Sequence, residues 1–94
     1  MKAEQHLELL GLKATDSVTN FKGVITGISF DLYGCIQAVL QPEVDKDGKV
    51  PDGRWFDVTR LNVKSKKPVM TQPNFEKGYV AEGRKGCEVN KPLP

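Results

Sequence analysis

The residues with the clearest chemical potential lie together in the segment 54–61, which reads RWFDVTRL. An exposed indole can stack against a flat ring, and guanidinium groups bind phosphate through paired hydrogen bonds. Arg54, Trp55 and Arg60 are therefore candidate ligand-binding residues. Tyr33, at the tip of an upstream hairpin, is a fourth candidate because a small five-stranded domain can bring that tip and this segment to one rim or to a groove between subunits.

A structural interpretation of the same segment competes with the binding one. The chain has one Trp, and a single Trp is commonly buried in a core or an interface. In that case Trp55 or Phe56 fills the core, and Asp57 pairs with Arg60. The sequence leaves both interpretations open.

The other chemically suggestive groups do not assemble into a metal site. Asp45 and Asp47 precede Gly48 as in a calcium loop, but Arg54 stands where such a loop needs a bidentate Glu. A turn is the favoured interpretation. His6, the single histidine, has no neighbouring cysteine pair with which to bind zinc.

Nucleophilic and phosphate-cradling motifs are equally weak. Cys35 falls in a predicted strand, where burial as a small apolar residue is favoured over reactivity. With Cys87 it is expected to be a free thiol in a reducing compartment. The segment 83–86, Gly-Arg-Lys-Gly, lacks the strand-to-helix context of a phosphate loop. We therefore expect no enzyme activity, no metal and no cofactor.

The elements that must position these residues are mostly strands. Alternating apolar residues on both sides of the polar joint 31–34 predict a β-hairpin. Gly23 and Gly27, four residues apart, predict a bend in its first strand with both glycines on one face. The predicted elements are a helix over 3–10 ended by Gly11, strands over 13–19, 21–30, 34–41, 54–58 and 61–63, and a helical turn at 59–60.

This pattern predicts a mainly all-β fold: a small five-stranded SH3-like antiparallel barrel with a short N-terminal helix and an extended C-terminal tail. The domain organisation is a helical segment at 1–12, the barrel at 13–63 and a basic tail at 64–94. Five residues are predicted to contribute to the core: Val18, Val24, Ile28, Ile36 and Leu40.

Composition limits the class of protein. Ninety-four residues make one domain, and 38% hydrophobic with 28% charged residues is ordinary for a soluble protein. No apolar run approaches the ~20 residues of a membrane span. Glu4, His6 and Glu8 interrupt what would have to be the apolar part of a secretion signal. A cytoplasmic protein with no membrane contact is expected.

Charge is distributed unevenly. Residues 1–63 carry seven basic and nine acidic residues, a balance of −2, whereas 64–94 carry seven basic and three acidic, a balance of +4. Such a tail can steer an anionic partner but lacks the clustered basic face of a duplex-binding domain. Its scattered apolar residues, such as Val69, Met70, Phe75 and Tyr79, predict docking onto a surface and favour a homo-oligomer.

Three motifs taken together resemble a group of small proteins encoded by bacteriophages and prophages. They are D-x-V-T-x-F-x-G at 16–23, Y-G-C at 33–35 and W-F-D at 55–57, and Asn20 stands where the group has Gly. The similarity extends over most of residues 10–86. It implies a phage context, in which small non-enzymatic barrels bind a macromolecule or sequester a host signalling molecule.

Two functions follow as expectations. In the first, an oligomer sequesters a nucleotide-derived host immune signal as a counter-defence, binding this small anionic ligand near Tyr33, Arg54, Trp55 and Arg60. In the second, the protein is an adaptor or inhibitor of a host protein, or an accessory nucleic-acid-binding module that uses its basic tail. Each is compatible with the predicted fold.

Overall fold

A computed structural model of the protein describes residues 3–75. Its elements in chain order are helix α1 (Ala3–Leu7), strands β1 (Lys13–Asp16), β2 (Lys22–Phe30), β3 (Ile36–Gln41) and β4 (Arg54–Asp57), a 3₁₀ turn (Val58–Arg60), and strand β5 (Leu61–Val63). The predicted succession of a helix, five strands and a helical turn before the last strand is confirmed. Predicted and observed boundaries differ by three residues at most.

The five strands form one antiparallel sheet in the order β4-β3-β2-β1-β5. The long β2 pairs with β1 through its first three residues and with β3 along most of its length. In the described residues β4 and β5 are the two edges and do not pair with each other, so the sheet is open. The mainly β fold is confirmed at this level, and closure into a barrel is not.

A β-bulge at Thr26 interrupts the regular pairing of β2 with β3. Ile25 pairs with Leu40, but Gly27 pairs with Val39, so the register shifts by one residue between them. Since the bulge consumes one residue, Gly27 lies on the opposite face of the sheet from Gly23. The expectation that the two glycines share a face is therefore wrong.

The core lies on one face of this sheet. Five apolar side chains are buried there: Ala14, Ile25, Ala38, Leu40 and Phe56. Leu40 confirms one predicted core residue, and Val24, Ile28 and Ile36 are half-buried. Val18 is 71% exposed, so its predicted core role is wrong. The reason is that β1 ends at Asp16 and Val18 lies in the turn that follows.

Two turns share the pattern D-x-x-G-x and the same hydrogen bonds. The Asp31 carboxylate accepts N–H bonds from Tyr33 and Cys35 at 2.9 and 2.8 Å, with Gly34 at φ +90°. Asp45 and Gly48 repeat this arrangement. The first turn holds Cys35 outside β3 and exposed, which corrects its predicted place in a buried strand.

The chain after β5 packs against the chain that follows α1. The Val69 N–H donates to the Gly11 carbonyl at 2.9 Å, and the Gln72 amide donates to the Leu10 and Glu8 carbonyls at 2.6 and 3.0 Å. The described part of the tail is therefore docked on its own chain. Of its predicted docking residues, Val69, Met70 and Phe75 remain more than half exposed, and Tyr79 lies outside the described residues.

Candidate ligand-binding surface

A bidentate ion pair joins the end of β1 to the 3₁₀ turn. Arg60 donates two hydrogen bonds of 2.7 Å to the two carboxylate oxygens of Asp16, whose side chain is fully buried. The Thr19 N–H donates to the same carboxylate at 2.8 Å. The Arg60 guanidinium is the main reason that the pKa of Asp16 lies well below its usual value, and Asp16 in turn raises the pKa of Arg60.

This pairing gives Arg60 a role in the fold. Its guanidinium also lies 5.2 Å from the centre of the buried Phe56 ring, so it covers the edge of the core. The sequence suggested Asp57 as the partner of Arg60, but Asp57 alternates onto the opposite face of β4 from Phe56. Asp16 takes its place.

Trp55 lies on the sheet face away from the core and is 51% exposed. It is paired with Val39 of β3, which is paired with Gly27 of β2, so the three form one row across the sheet. A Cβ atom at Gly27 would lie 3.7 Å from the far edge of the indole and 3.0 Å from a Val39 methyl. The indole therefore extends across β3 toward β2, into space that exists because residue 27 has no side chain.

The structure does not bring the four predicted site residues to one place. Strand alternation puts Arg54 on the face opposite Trp55. Arg54 is paired with Leu40, near the end of β3 farthest from the turn that carries Tyr33. From Ile36 to Leu40 alone, β3 covers about 13 Å. Tyr33 and Arg54 thus lie at opposite ends of the sheet, and Arg60 is held by Asp16.

The hairpin tip is a separate apolar feature. Leu32 is 90% exposed and Tyr33 is 86% exposed, in the turn fixed by the Asp31 carboxylate. Beside them the Asp31 charge is the main cause that raises the pKa of the exposed Cys35 thiol. A raised thiol pKa disfavours the thiolate, which is the nucleophilic form.

Sequence reasoning missed a group of three lysines. Lys13, Lys22 and Lys64 line one cleft of about 390 Å³. They are far apart in sequence, and it is the pairing of β1 with β2 and β5 that unites them. The signal that could have found them is the strand register, which a single sequence does not supply.

The remaining candidates for metal binding have structural roles. The carboxylate of Asp45 accepts N–H bonds from Asp47 and Lys49, as the turn interpretation requires. His6 is buried and meets the Phe30 ring edge-on at 5.8 Å. Within residues 3–75 no group of three His, Cys, Asp or Glu side chains is placed to hold a metal ion. Nor does any helix in this range have the length and apolar character to cross a membrane.

Fold and surface together define a small, mainly β domain with a half-exposed indole on one sheet face and a lysine-lined cleft beside it. No protein-family model matches the chain, and the comparisons with curated proteins and with solved structures found no match.

Proposed function

We propose that this is a non-enzymatic binding protein that captures a small anionic ligand of the nucleotide type. The observation that carries the proposal is the position of Trp55. A large aromatic side chain that is 51% exposed on a regular strand leaves apolar area in water, a cost that a stacked ligand ring removes.

The support beneath the indole favours stacking over a loose surface contact. The indole lies over Gly27, in the row that also holds its strand partner Val39, so the sheet closes one side of the space around the ring. A ligand ring that stacks on it therefore meets a pre-organised partner, which lowers the entropy lost on binding. Stacking of a base on one aromatic side chain contributes about 1–3 kcal/mol.

The resemblance to phage proteins suggests the biological setting. We infer that capture serves counter-defence: the protein removes a nucleotide-derived immune signal in the host cytoplasm and needs no catalytic residue to do so. The bulge in β2 and the 3₁₀ turn between β4 and β5 support an SH3-like barrel for this binder. A homo-oligomer, with ligand held between subunits, belongs to the same proposal.

Fluorescence tests the proposal directly, because Trp55 is the single Trp of the chain. Cyclic dinucleotides and ADP-ribose derivatives are titrated into the protein, and a stacked ring is expected to quench the indole emission. Calorimetry on Trp55→Ala should show affinity lowered by roughly 5- to 150-fold, the equivalent of about 1–3 kcal/mol.

Tyr33→Ala is the matched control, since it removes an exposed aromatic side chain from the other end of the sheet. It should bind as the parent does. The proposal fails if no ligand of the panel quenches Trp55, or if folded Trp55→Ala keeps the parent affinity. Light scattering of the parent with and without ligand tests the oligomer separately.

The exposed hairpin tip favours a second candidate, a protein-binding adaptor or inhibitor. Leu32 and Tyr33 stand on a turn whose backbone is fixed by Asp31, and rigid apolar residues of this kind act as anchors in protein interfaces. This candidate predicts that Leu32→Ser combined with Tyr33→Ser abolishes association with a host protein. Trp55 quenching by nucleotides would be absent in both the parent and the variant.

A further inference from the structure

The cleft beside the indole collects positive charge from three parts of the chain. Lys13 of β1 pairs with Val24 of β2. Lys22 lies two residues before Val24 in β2 and therefore on the same face of the sheet. The Lys64 N–H donates to the Lys13 carbonyl at 2.7 Å, which places Lys64 beside Lys13 as the chain leaves β5. Three lysines therefore line one cleft of about 390 Å³, a volume in the range of small-ligand sites.

Within the described part of the chain, carboxylates leave this charge largely uncompensated. Among residues 3–75 the single ion pair is that of Asp16 with Arg60, so none of the three lysines is paired with a carboxylate there. Of the described residues that line the cleft, Glu43 is the one acidic residue, so three lysines and one glutamate give a local charge of +2. Val24, the strand partner of Lys13, lines it as well, and an apolar wall strengthens the attraction of an ion to these charges.

We propose that this cleft is the anion subsite of the protein and binds the phosphates of a nucleotide bearing two or more of them. The site rests on the proposed function, which it deepens. It differs from the arginines expected from the sequence, because Arg60 is already neutralised by Asp16 and Arg54 lies on the face opposite the indole. A ligand with two or more negative charges matches the +2 of the cleft.

The sheet connects this subsite to Trp55. Gln41 lines the cleft, and Val39, the strand partner of Trp55, lies two residues away on the same face of β3. That separation is about 7 Å along the strand, and β4 is about 5 Å further across. A nucleotide can span this distance with its phosphates among the lysines and its base on the indole.

Inorganic pyrophosphate is the probe for the subsite alone. Calorimetry at low ionic strength should show one site per chain, with affinity that falls as salt is added. Lys13→Gln, Lys22→Gln and Lys64→Gln should each weaken binding about tenfold, the loss expected for one charge-assisted hydrogen bond. Lys46→Gln makes the same charge change in the exposed 45–49 turn and should bind as the parent does.

Glu43→Gln supplies a test of opposite sign. It removes the negative charge of Glu43 from the lining of the cleft, so pyrophosphate should bind several-fold more tightly. If the three cleft variants match Lys46→Gln, or if Glu43→Gln weakens binding, the subsite is refuted. Preference for a single-stranded oligonucleotide over pyrophosphate, with a salt dependence that shows many phosphate contacts, would also overturn it in favour of nucleic acid.

The subsite and the proposed function can fail independently. Trp55→Ala should keep the parent affinity for pyrophosphate, which has no ring to stack, while losing affinity for nucleotides. Pyrophosphate binding without quenching by any nucleotide would refute the nucleotide function and leave an anion site. Quenching by nucleotides that is indifferent to all three lysine variants would keep the function and refute this subsite.

Discussion

Replacing Leu40 with Ala is the most direct test of the core. Leu40 is fully buried and sits between Ile25 of β2 and the edge strand β4, so its truncation leaves a cavity that neighbouring strands cannot easily close. Leu→Ala changes at such sites cost about 3–5 kcal/mol. At roughly 0.05–0.15 kcal/mol per residue, 94 residues give a total stability of about 5–14 kcal/mol, so one substitution removes a large share of it.

Urea unfolding followed by far-UV circular dichroism measures this loss. With a slope of about 1–3 kcal/mol per molar urea, a loss of about 3–5 kcal/mol should lower the midpoint by roughly 1–5 M. In thermal melts the shift should exceed about 10 °C.

Val18→Ala is the control that separates the structure from the sequence pattern. The pattern places Val18 in the core, whereas the structure exposes 71% of it, so the change should stay within about 0.5 kcal/mol. Equal midpoints for the two variants, or a larger loss for Val18→Ala, would refute the core described above.

Three further predictions concern two turns and the close approach of β2 to β3 at Gly23. The pKa of Asp16 in the folded state lies below its ordinary value of 3.8, so the ionised carboxylate stabilises the fold fully above pH 3.8. This contribution is lost as pH falls through the folded-state pKa. The urea midpoint of Asp16→Asn should therefore depend less on pH between 5 and 2 than that of the parent. Asp31→Asn keeps an acceptor for the turn but removes the charge, so Cys35 should react faster with iodoacetamide near pH 8, measured in a variant whose other cysteine is Ser; an unchanged rate would contradict the electrostatic cause. Gly23→Ala places a Cβ 2.7 Å from the Gln41 carbonyl oxygen and should cost about 1–3 kcal/mol in the same urea assay, so a stability equal to the parent's would show that β2 and β3 are not so close there.

The sequence predicts the number and order of the strands correctly, but it misses the residues at which some of them begin and end. Period-two apolarity locates β2 and β3, and Leu40 follows from it as a core residue. Val18 and Cys35 belong to the same apolar pattern but lie in turns, because the carboxylates of Asp16 and Asp31 accept backbone N–H groups and end the strands first. Whether these residues lie in a strand or a turn depends on hydrogen bonds from the backbone to an aspartate side chain, and the periodicity of apolar residues carries no information about those bonds.

The surface is harder to predict because it depends on which distant residues the sheet brings together. Arg60 pairs with Asp16, which is 44 residues away in sequence, whereas Asp57, three residues away, lies on the opposite face of β4 from Phe56. The lysine cleft needs the register of β1 against two other strands. The segment 54–61 alone does not decide which face of the sheet carries Trp55. The bulge at Thr26, which brings Gly27 into the same row as Trp55, cannot be predicted from amino-acid composition.

The docking of Gln72 on the Leu10 and Glu8 carbonyls has a consequence for the order of folding. These contacts close loops of 62 and 64 residues, and such long loops are entropically costly to close before the sheet exists. Both depend on the single half-exposed amide of Gln72 rather than on buried apolar area, so the segment around Gln72 should open while the sheet stays intact. The N-terminal segment has its own contacts with the sheet, through buried His6 against Phe30 and through Leu9 and Leu10 against the core, so it should stay in place when the Gln72 contacts are released.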